Sequence, residues 1–305
     1  MSLARPLFDL GLRLTEKRAL ARETDPARLR ARLERRVRHL FAAPRGVALD
    51  PGQLGRVPCL WLTPEGVAPD APVLMWFHGG GYVFGSPRTH AHMVARLAQM
   101  AGLRACLPAY RLAPEHPFPA APDDAFAAWE ALIASERTPA HVLLGGDSAG
   151  GGLALSLLGR LCQAGGVLPA GLVAISPLTD LSFAGESWTR NARSEAMLPA
   201  ARARDLEEMY LAGAAPTDPR ASPLFADFPG APPVWLTASD SEILLDDTRR
   251  MADALTAQGV AVRCEITHRL PHVWPFFWRY LPEGQASLRA AARWIRDLPP
   301  PPADS

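Results

Sequence analysis

An excess of charge of either sign is missing from this chain: 32 basic residues against 31 acidic ones leave a formal net charge of +1 over 305 residues. Net charge therefore gives no reason to expect nucleic acid or another polyanion as partner. Cysteine is scarce. Cys59, Cys106, Cys162 and Cys264 lie far apart with no C-x-x-C pair, which argues against a zinc site and a disulfide framework and for free buried thiols. No window approaches the roughly 18 uncharged apolar residues that a membrane span needs. Near the start, Asp9, Arg13, Glu16 and Lys17 interrupt the apolar residues before the core of a signal peptide could form. A soluble cytoplasmic protein is the expectation.

With 48% hydrophobic residues, a large core is available, and a chain of this length suits one α/β domain with an appendage as well as two average domains. The charge is unevenly spread: residues 1–45 hold twelve basic and five acidic side chains (+7), leaving the rest at −6. A basic arm could meet a membrane surface, but its apolar residues Leu29, Leu33, Val37 and Leu40 recur at helical spacing. The arm is therefore read as amphipathic helices packed on the body, arginines outward.

The chain is organised around Leu143–Gly152, LLGGDSAGGG. The apolar run His141–Leu144 predicts a buried strand, Gly145-Gly146 a turn, and Gly152–Leu158 a helix. That setting makes Gly146-Asp147-Ser148-Ala149-Gly150 a candidate nucleophile elbow and Ser148 the candidate nucleophile. A glycine-rich turn that merely packs, or that cradles phosphate at a helix N-terminus, is the competing reading.

Other strands are expected at 57–62, with Pro51-Gly52 marking a turn before it, and at 73–77, 104–110, 172–176, 234–238 and 261–266. Helices are expected at 91–100, 123–135, 246–258 and 283–297. This alternation predicts a mostly parallel sheet covered on both faces, its site at the carboxyl ends of the strands. The segment 183–213 breaks the alternation with a helix at 199–211, and reads as an insertion above the sheet. The four prolines at 299–302 should be frayed. After the strand at 73–77 comes His78-Gly79-Gly80-Gly81. It lacks the Lys-Ser ending of a phosphate loop, and such a glycine run can turn backbone N–H groups toward an oxyanion.

H-G-G-G at 78–81, Y-R-L-A-P-E at 110–115, G-D-S-A-G-G at 146–151 and His272 in L-P-H-V-W occur in an order that resembles bacterial hormone-sensitive-lipase-like esterases of the α/β-hydrolase fold. The resemblance covers roughly residues 45–297. It implies an eight-stranded, mostly parallel sheet flanked by helices, with a cap made from the N-terminal arm and the insertion. One domain would result, its cap from 1–45 and 183–213 and its catalytic core from 46–182 and 214–298. Carboxylic esters with short or medium acyl chains would be hydrolysed.

The chemistry can also be read from the residues. A serine hydroxyl needs a base, and the base an acid that fixes its tautomer. His272, in the loop after the last strand, fits the order serine, acid, histidine of this fold, with His268 as rival. His39, His90, His92, His116 and His141 precede the nucleophile and read as surface or loop residues. His78 is expected to be structural by resemblance. The acid should follow the strand 234–238. Many relatives carry an aspartate there, followed by proline, leucine, arginine and a second acid. Laid without a gap from Pro232-Pro233 to Asp246-Asp247, that aspartate falls on Glu242, and glutamate is an accepted variant. Asp240 is the alternative acid, because residues two apart in an extended segment face the same way. The oxyanion hole would use the N–H groups of Gly79, Gly80 and Ala149. Trp274, Phe276, Phe277 and Trp278 read as core packing and part of an acyl-pocket wall. His90-Ala91-His92 lacks acidic or cysteine neighbours in sequence, so no metal is expected there. No cofactor is implied, and the partner expected is a small-molecule ester. An acyl-enzyme carboxylesterase leads; amide, lactone or acetyl hydrolysis by the same triad is the alternative, and a non-catalytic receptor the distant third. Oligomeric state stays open, a homodimer being one option.

Overall fold

The computed structural model describes residues 5–42, 44–135 and 141–299. Its short apolar runs become the interior strands of one sheet: β1 (Val47–Leu54), β2 (Val57–Pro64), β3 (Val73–Phe77), β4 (Arg104–Pro108), β5 (Val142–Asp147), β6 (Leu172–Ile175), β7 (Val234–Ser239) and β8 (Val262–Thr267). The spatial order is β1-β2-β4-β3-β5-β6-β7-β8. β2 runs antiparallel to both β1 and β4, and every pairing from β4 to β8 is parallel. This is the eight-stranded, mostly parallel sheet that the resemblance implied.

Side chains alternate across a strand, and the core divides accordingly. Val73, Met75 and Phe77 of β3 enter one apolar cluster with the helices Ala120–Ser135, Ala149–Ala164 and Leu245–Ala257. Leu74 and Trp76 enter another on the opposite face, with the helices Pro87–Ala101 and Pro282–Arg296. Burial on both faces is why β3, β5, β6 and β7 read as unbroken apolar runs. The crossovers leave the carboxyl ends of β3, β5, β6, β7 and β8 along one rim, as parallel order requires.

Over that rim lie the arm and the insertion. The arm forms the helix Arg5–Leu12, a π turn at Arg13–Lys17, the helix Arg18–Arg22 and the helix Pro26–Leu40. Asp25 caps the last of these, its side chain accepting from Ala27 N at 2.8 Å, and Pro26 opens it. Leu29 and Val37 are buried, whereas Leu40 is 43% exposed. Leu12, Val37 and Phe41 join Ala196 of the insertion and Leu270, Trp274 and Phe277 beyond β8 in a third cluster. The insertion contributes the helix Ala203–Leu211.

Four local expectations are corrected. Pro51-Gly52 is no turn: both lie inside β1, and the reversal falls at Gly55, whose φ is +57°. Proline is tolerated there because β1 is the rim strand of the sheet. Gly145 and Gly146 continue β5, which turns only at Ser148. Cys264, on the opposite rim strand, is exposed, while the other three free thiols are buried. His90 and His92 are buried, at 5% and 2% exposure. Of the proline tail, residues 300–302 lie outside the described residues. Among the described residues no helix is long and apolar enough to cross a membrane.

Candidate active site

β5 ends at Asp147 and the next helix starts at Ala149, so Ser148 alone makes the turn, at φ 54° and ψ −126°. A non-glycine residue there costs on the order of 1–3 kcal/mol and persists only where its surroundings over-determine it. They do: Ser148 N donates to Ile175 O at 2.9 Å, and Leu178 N donates to Ser148 O at 3.0 Å. Strand and helix approach so closely that a Cβ on Gly146 would run into the Gly150 backbone, and one on Gly150 into the Phe77 carbonyl. The glycines of the elbow are steric requirements, and they force the serine side chain onto the rim.

Two loops bring the partners. His272, beyond β8, is 2% exposed; its Nε2 lies 2.9 Å from Ser148 Oγ and its Nδ1 2.6 Å from Glu242 Oε2. Glu242, beyond β7, is fully buried. Its Oε1 accepts from Ser239 N at 2.6 Å and from Ser176 Oγ at 3.0 Å. Ser176, at the end of β6, also lies 3.4 Å from Val273 N, so it ties the carboxylate loop to the histidine loop. Burial works against a charged His272 ring, but the hydrogen bond and charge of Glu242, with Glu195 and Asp147 behind, outweigh it and raise its pKa above the usual value.

The rivals pair with each other elsewhere. His268 Nδ1 meets Asp240 Oδ2 at 2.6 Å, with side chains 60% and 36% exposed. Asp240 also accepts from Arg269 N at 2.7 Å. This pair lies away from Ser148 on the outer surface of the same two loops. The sequence argument from extended geometry does not apply, because the chain turns directly after β7, with Glu242 N donating to Ser239 O at 3.1 Å.

The glycine loop after β3 folds against the nucleophile. A Cβ on Gly79 would lie 3.1 Å from that of Ser148. Gly80, at φ +126°, adopts a conformation that side chains rarely reach, and its carbonyl accepts from Val83 N and Phe84 N at 3.0 Å. Ala149 opens the helix, so its N–H belongs to the first turn that has no intrahelical acceptor and carries the positive end of the dipole. His78 underpins the loop: its Nδ1 is 2.8 Å from Gly79 O, and Tyr110 OH donates to His78 O at 2.7 Å. Burial, with the neighbouring His90, lowers its pKa to about 3, so it stays neutral.

A second buried carboxylate sits behind the elbow. Asp147 accepts from Trp76 Nε1 at 2.9 Å and pairs with His90 Nε2 at 3.1 Å, while His90 Nδ1 meets Thr89 Oγ1 at 2.9 Å. Burial alone would raise the Asp147 pKa, but His90 and Trp76 together hold it below the usual value. His90 thus does have an acidic neighbour, 57 positions away in sequence. Nothing local in H-A-H announces it. Ser176 was equally silent, its one signal being its place at a strand end on the functional rim.

Ser148 and His272 open into a cavity of about 420 Å³. Leu12, Leu33 and Val37 of the arm, Leu198 and Leu206 of the insertion, and Phe276 and Phe277 line it. The other two aromatics of the run turn away: Trp274 donates to Ser287 Oγ at 2.8 Å, and Trp278 packs against the second core cluster.

The family model described as alpha/beta hydrolase fold matches residues 74–276. An acetyl-hydrolase of Streptomyces hygroscopicus is 39% identical over 243 residues, covering 80% of this chain and 81% of its own. An esterase of Acinetobacter venetianus is 33% identical, covering 74% and 75%. The crystal structure of an esterase from the bacterial hormone-sensitive lipase (HSL) family superposes with a TM-score of 0.91 at 35% identity, covering 98% of this chain and 99% of that one.

Proposed function

Because this chain belongs to the bacterial hormone-sensitive lipase family of α/β-hydrolase esterases, whose chemistry is serine-based hydrolysis of carboxylic esters, we propose that Ser148, His272 and Glu242 carry that reaction as nucleophile, base and acid. The observation behind the assignment is the unbroken line of hydrogen bonds, 2.9 Å then 2.6 Å, that ends on an apolar cavity. His272 Nε2 takes the Ser148 proton as Oγ attacks the ester carbonyl, and Glu242 steadies the imidazolium that forms. The N–H groups of Gly79, Gly80 and Ala149 receive the negative oxygen. The alcohol leaves with the proton from His272, and water repeats the sequence to release the acid from the acyl-enzyme.

We read 1–45 and 183–213 as one cap over a core of 46–182 and 214–298. Support comes from the cluster in which Leu12 and Val37 pack with Ala196, and from the share that both segments take in the cavity wall. A cavity of about 420 Å³ falls within the roughly 300–1,000 Å³ typical of small-molecule sites. It is larger than an acetyl group requires, which favours short- to medium-chain acyl esters; the acetyl-hydrolase relative makes acetyl esters the alternative. Four free thiols fit a cytoplasmic setting. Steady-state kinetics on p-nitrophenyl esters from acetate to palmitate test the reading. The highest kcat/KM should fall between butyrate and octanoate, and a maximum at palmitate would overturn the chain-length assignment.

A further inference from the structure

Between the arm and the catalytic loops runs a second set of contacts that the reaction scheme does not use. Four consecutive carbonyls of the insertion are held by two arm cations. Lys17 Nζ donates to Ala192 O at 2.9 Å and Glu195 O at 2.7 Å; the Arg13 guanidinium donates to Arg193 O at 2.6 Å and to Ser194 O. Lys17 is the only lysine in the chain. Its compact ammonium, with three rotatable donors, can bridge two carbonyls where a planar guanidinium would not fit the same way.

The same four-residue loop and the residue before it grip the turn that carries Glu242. Asn191 Nδ2 spends both of its hydrogens there, on Asp240 O at 2.9 Å and Glu242 O at 2.8 Å. Ser194 Oγ lies 3.0 Å from Ser241 O. Glu195, 1% exposed, turns Oε2 to Ile243 N at 3.3 Å, and its Oε1 accepts from Met197 N at 2.8 Å. Residues 240–243 lie between β7 and the following helix. The ladder with β8 ends at Asp240 N, which donates to Thr267 O at 2.9 Å, and Glu242 N turns back to Ser239 O at 3.1 Å, which leaves Asp240 O, Ser241 O and Ile243 N to find partners elsewhere. The insertion supplies them.

We propose that Asn191, Ser194 and Glu195 are positioning residues for the catalytic acid, and that Lys17 and Arg13 hold them in place, so that the N-terminal arm completes the acid's seat as well as walling the pocket. This rests on Glu242 being the triad acid. None of these five side chains lines the cavity. Loosening them should therefore lower kcat and leave KM unchanged, since substrate contacts stay while the His272–Glu242 geometry drifts. A misplacement of about 1 Å at such a site can cost about 100-fold. A second consequence concerns protonation. His272 feels Glu242, Glu195 and Asp147, so a Glu242 that sits further off, or a Glu195 without charge, lets the imidazolium lose its proton at lower pH.

The test uses the full chain, p-nitrophenyl butyrate and five variants: Asn191→Ala, Lys17→Met, Lys17→Arg, Glu195→Gln and Glu242→Gln, each with a thermal melt to score folding. Asn191→Ala and Lys17→Met should lose about tenfold to 100-fold in kcat at constant KM, with the acid limb of kcat/KM moved to lower pH. Lys17→Arg should recover part of the loss. Glu195→Gln removes a charge near His272 and leaves either Ile243 N or Met197 N facing an NH2 group, so it should move the acid limb to lower pH and lower kcat as well. Asn191→Ala placed in the Glu242→Gln background should cost nothing further. Wild-type kcat and pH profile in folded Asn191→Ala and Lys17→Met would overturn the proposal, as would an equal loss from Asn191→Ala in both backgrounds. If instead Glu242→Gln itself retains wild-type kcat, the assignment of the acid fails, and that outcome is separate from the other two. Should Asn191→Ala not fold, the half-buried Lys17 pair carries the same comparison.

Discussion

Glu242→Gln is the perturbation whose outcome is most fully determined by geometry. The carboxylate has two oxygens with different duties: Oε1 accepts from Ser239 N and Ser176 Oγ, and Oε2 accepts from His272 Nδ1. An amide has only one acceptor oxygen. Two donors on the Oε1 side draw the amide oxygen there, since leaving a buried N–H and O–H facing an NH2 group would cost roughly 1–3 kcal/mol for each unsatisfied donor. The amide NH2 then faces His272 Nδ1, which must become an acceptor. Its proton moves to Nε2 and points at Ser148 Oγ, where a base should be. The tautomer is wrong for catalysis although every atom is in place. The analogous aspartate-to-asparagine change in a serine protease lowers kcat by about 10⁴, or about 5.4 kcal/mol of barrier. Asp240→Asn, by contrast, touches an exposed pair with His268 that has no link to Ser148, and should change kcat less than about twofold, as exposed pairs contribute little. Initial rates on p-nitrophenyl butyrate with both variants confirmed folded decide the matter. A larger loss in Asp240→Asn than in Glu242→Gln would refute the reasoning.

Ser148→Ala should lower kcat by on the order of 10⁶ without loss of fold, and a serine-directed phosphonate should label the wild type once and the variant not at all. Because acylation needs neutral His272 and its pKa is raised above 6.5 by Glu242, kcat/KM should fall as pH drops, with a midpoint above 6.5; a midpoint well below that value would contradict the pairing. A chain that starts at Gly46 loses Leu12, Leu33 and Val37 from the cavity wall and bares their partners, so it should aggregate or shift its chain-length preference; unchanged solubility and kinetics would make the arm dispensable. Buried Asp247, with Asp180 beside it, has its pKa raised to about 7. The native state therefore keeps a proton that the unfolded chain releases near pH 4, stability falls as pH rises from about 4 to 7, and Asp247→Asn should flatten the melting temperature over that window.

The sequence was legible where one residue type can satisfy the local physics. Apolar runs that lead into glycine, as in β3 and β5, read as doubly buried strands, and the spacing of Gly146, Ser148 and Gly150 left little but an elbow. Legibility ended where function depends on contacts between distant segments. His90 and His92 looked peripheral because the helix that buries them carries no sign of the Trp76–Asp147 pair it packs on. Glu242 led Asp240 only through an ungapped match to relatives, since the turn that sends one outward and the other inward is fixed by Ser239, Ser176 and Asn191. Pro51-Gly52 carried the usual marks of a turn, and only the position of β1 at the rim, which the strand order decides, makes proline acceptable in a ladder.

That proline also shapes how copies of this protein meet in a crowded solution. A rim strand offers a row of backbone donors and acceptors on which a foreign strand can add, the first step toward fibrous aggregates. On β1 the run Ala48 to Pro51 is exposed, and at its centre an approaching strand meets the charge of Asp50 and then a ring nitrogen with no hydrogen to give. Pro51 thus leaves a gap in the row of donors that an added strand would need. Pro51→Val would restore a complete, β-favouring template at that rim, and the variant should form thioflavin-positive aggregates at concentrations where the parent chain stays dispersed.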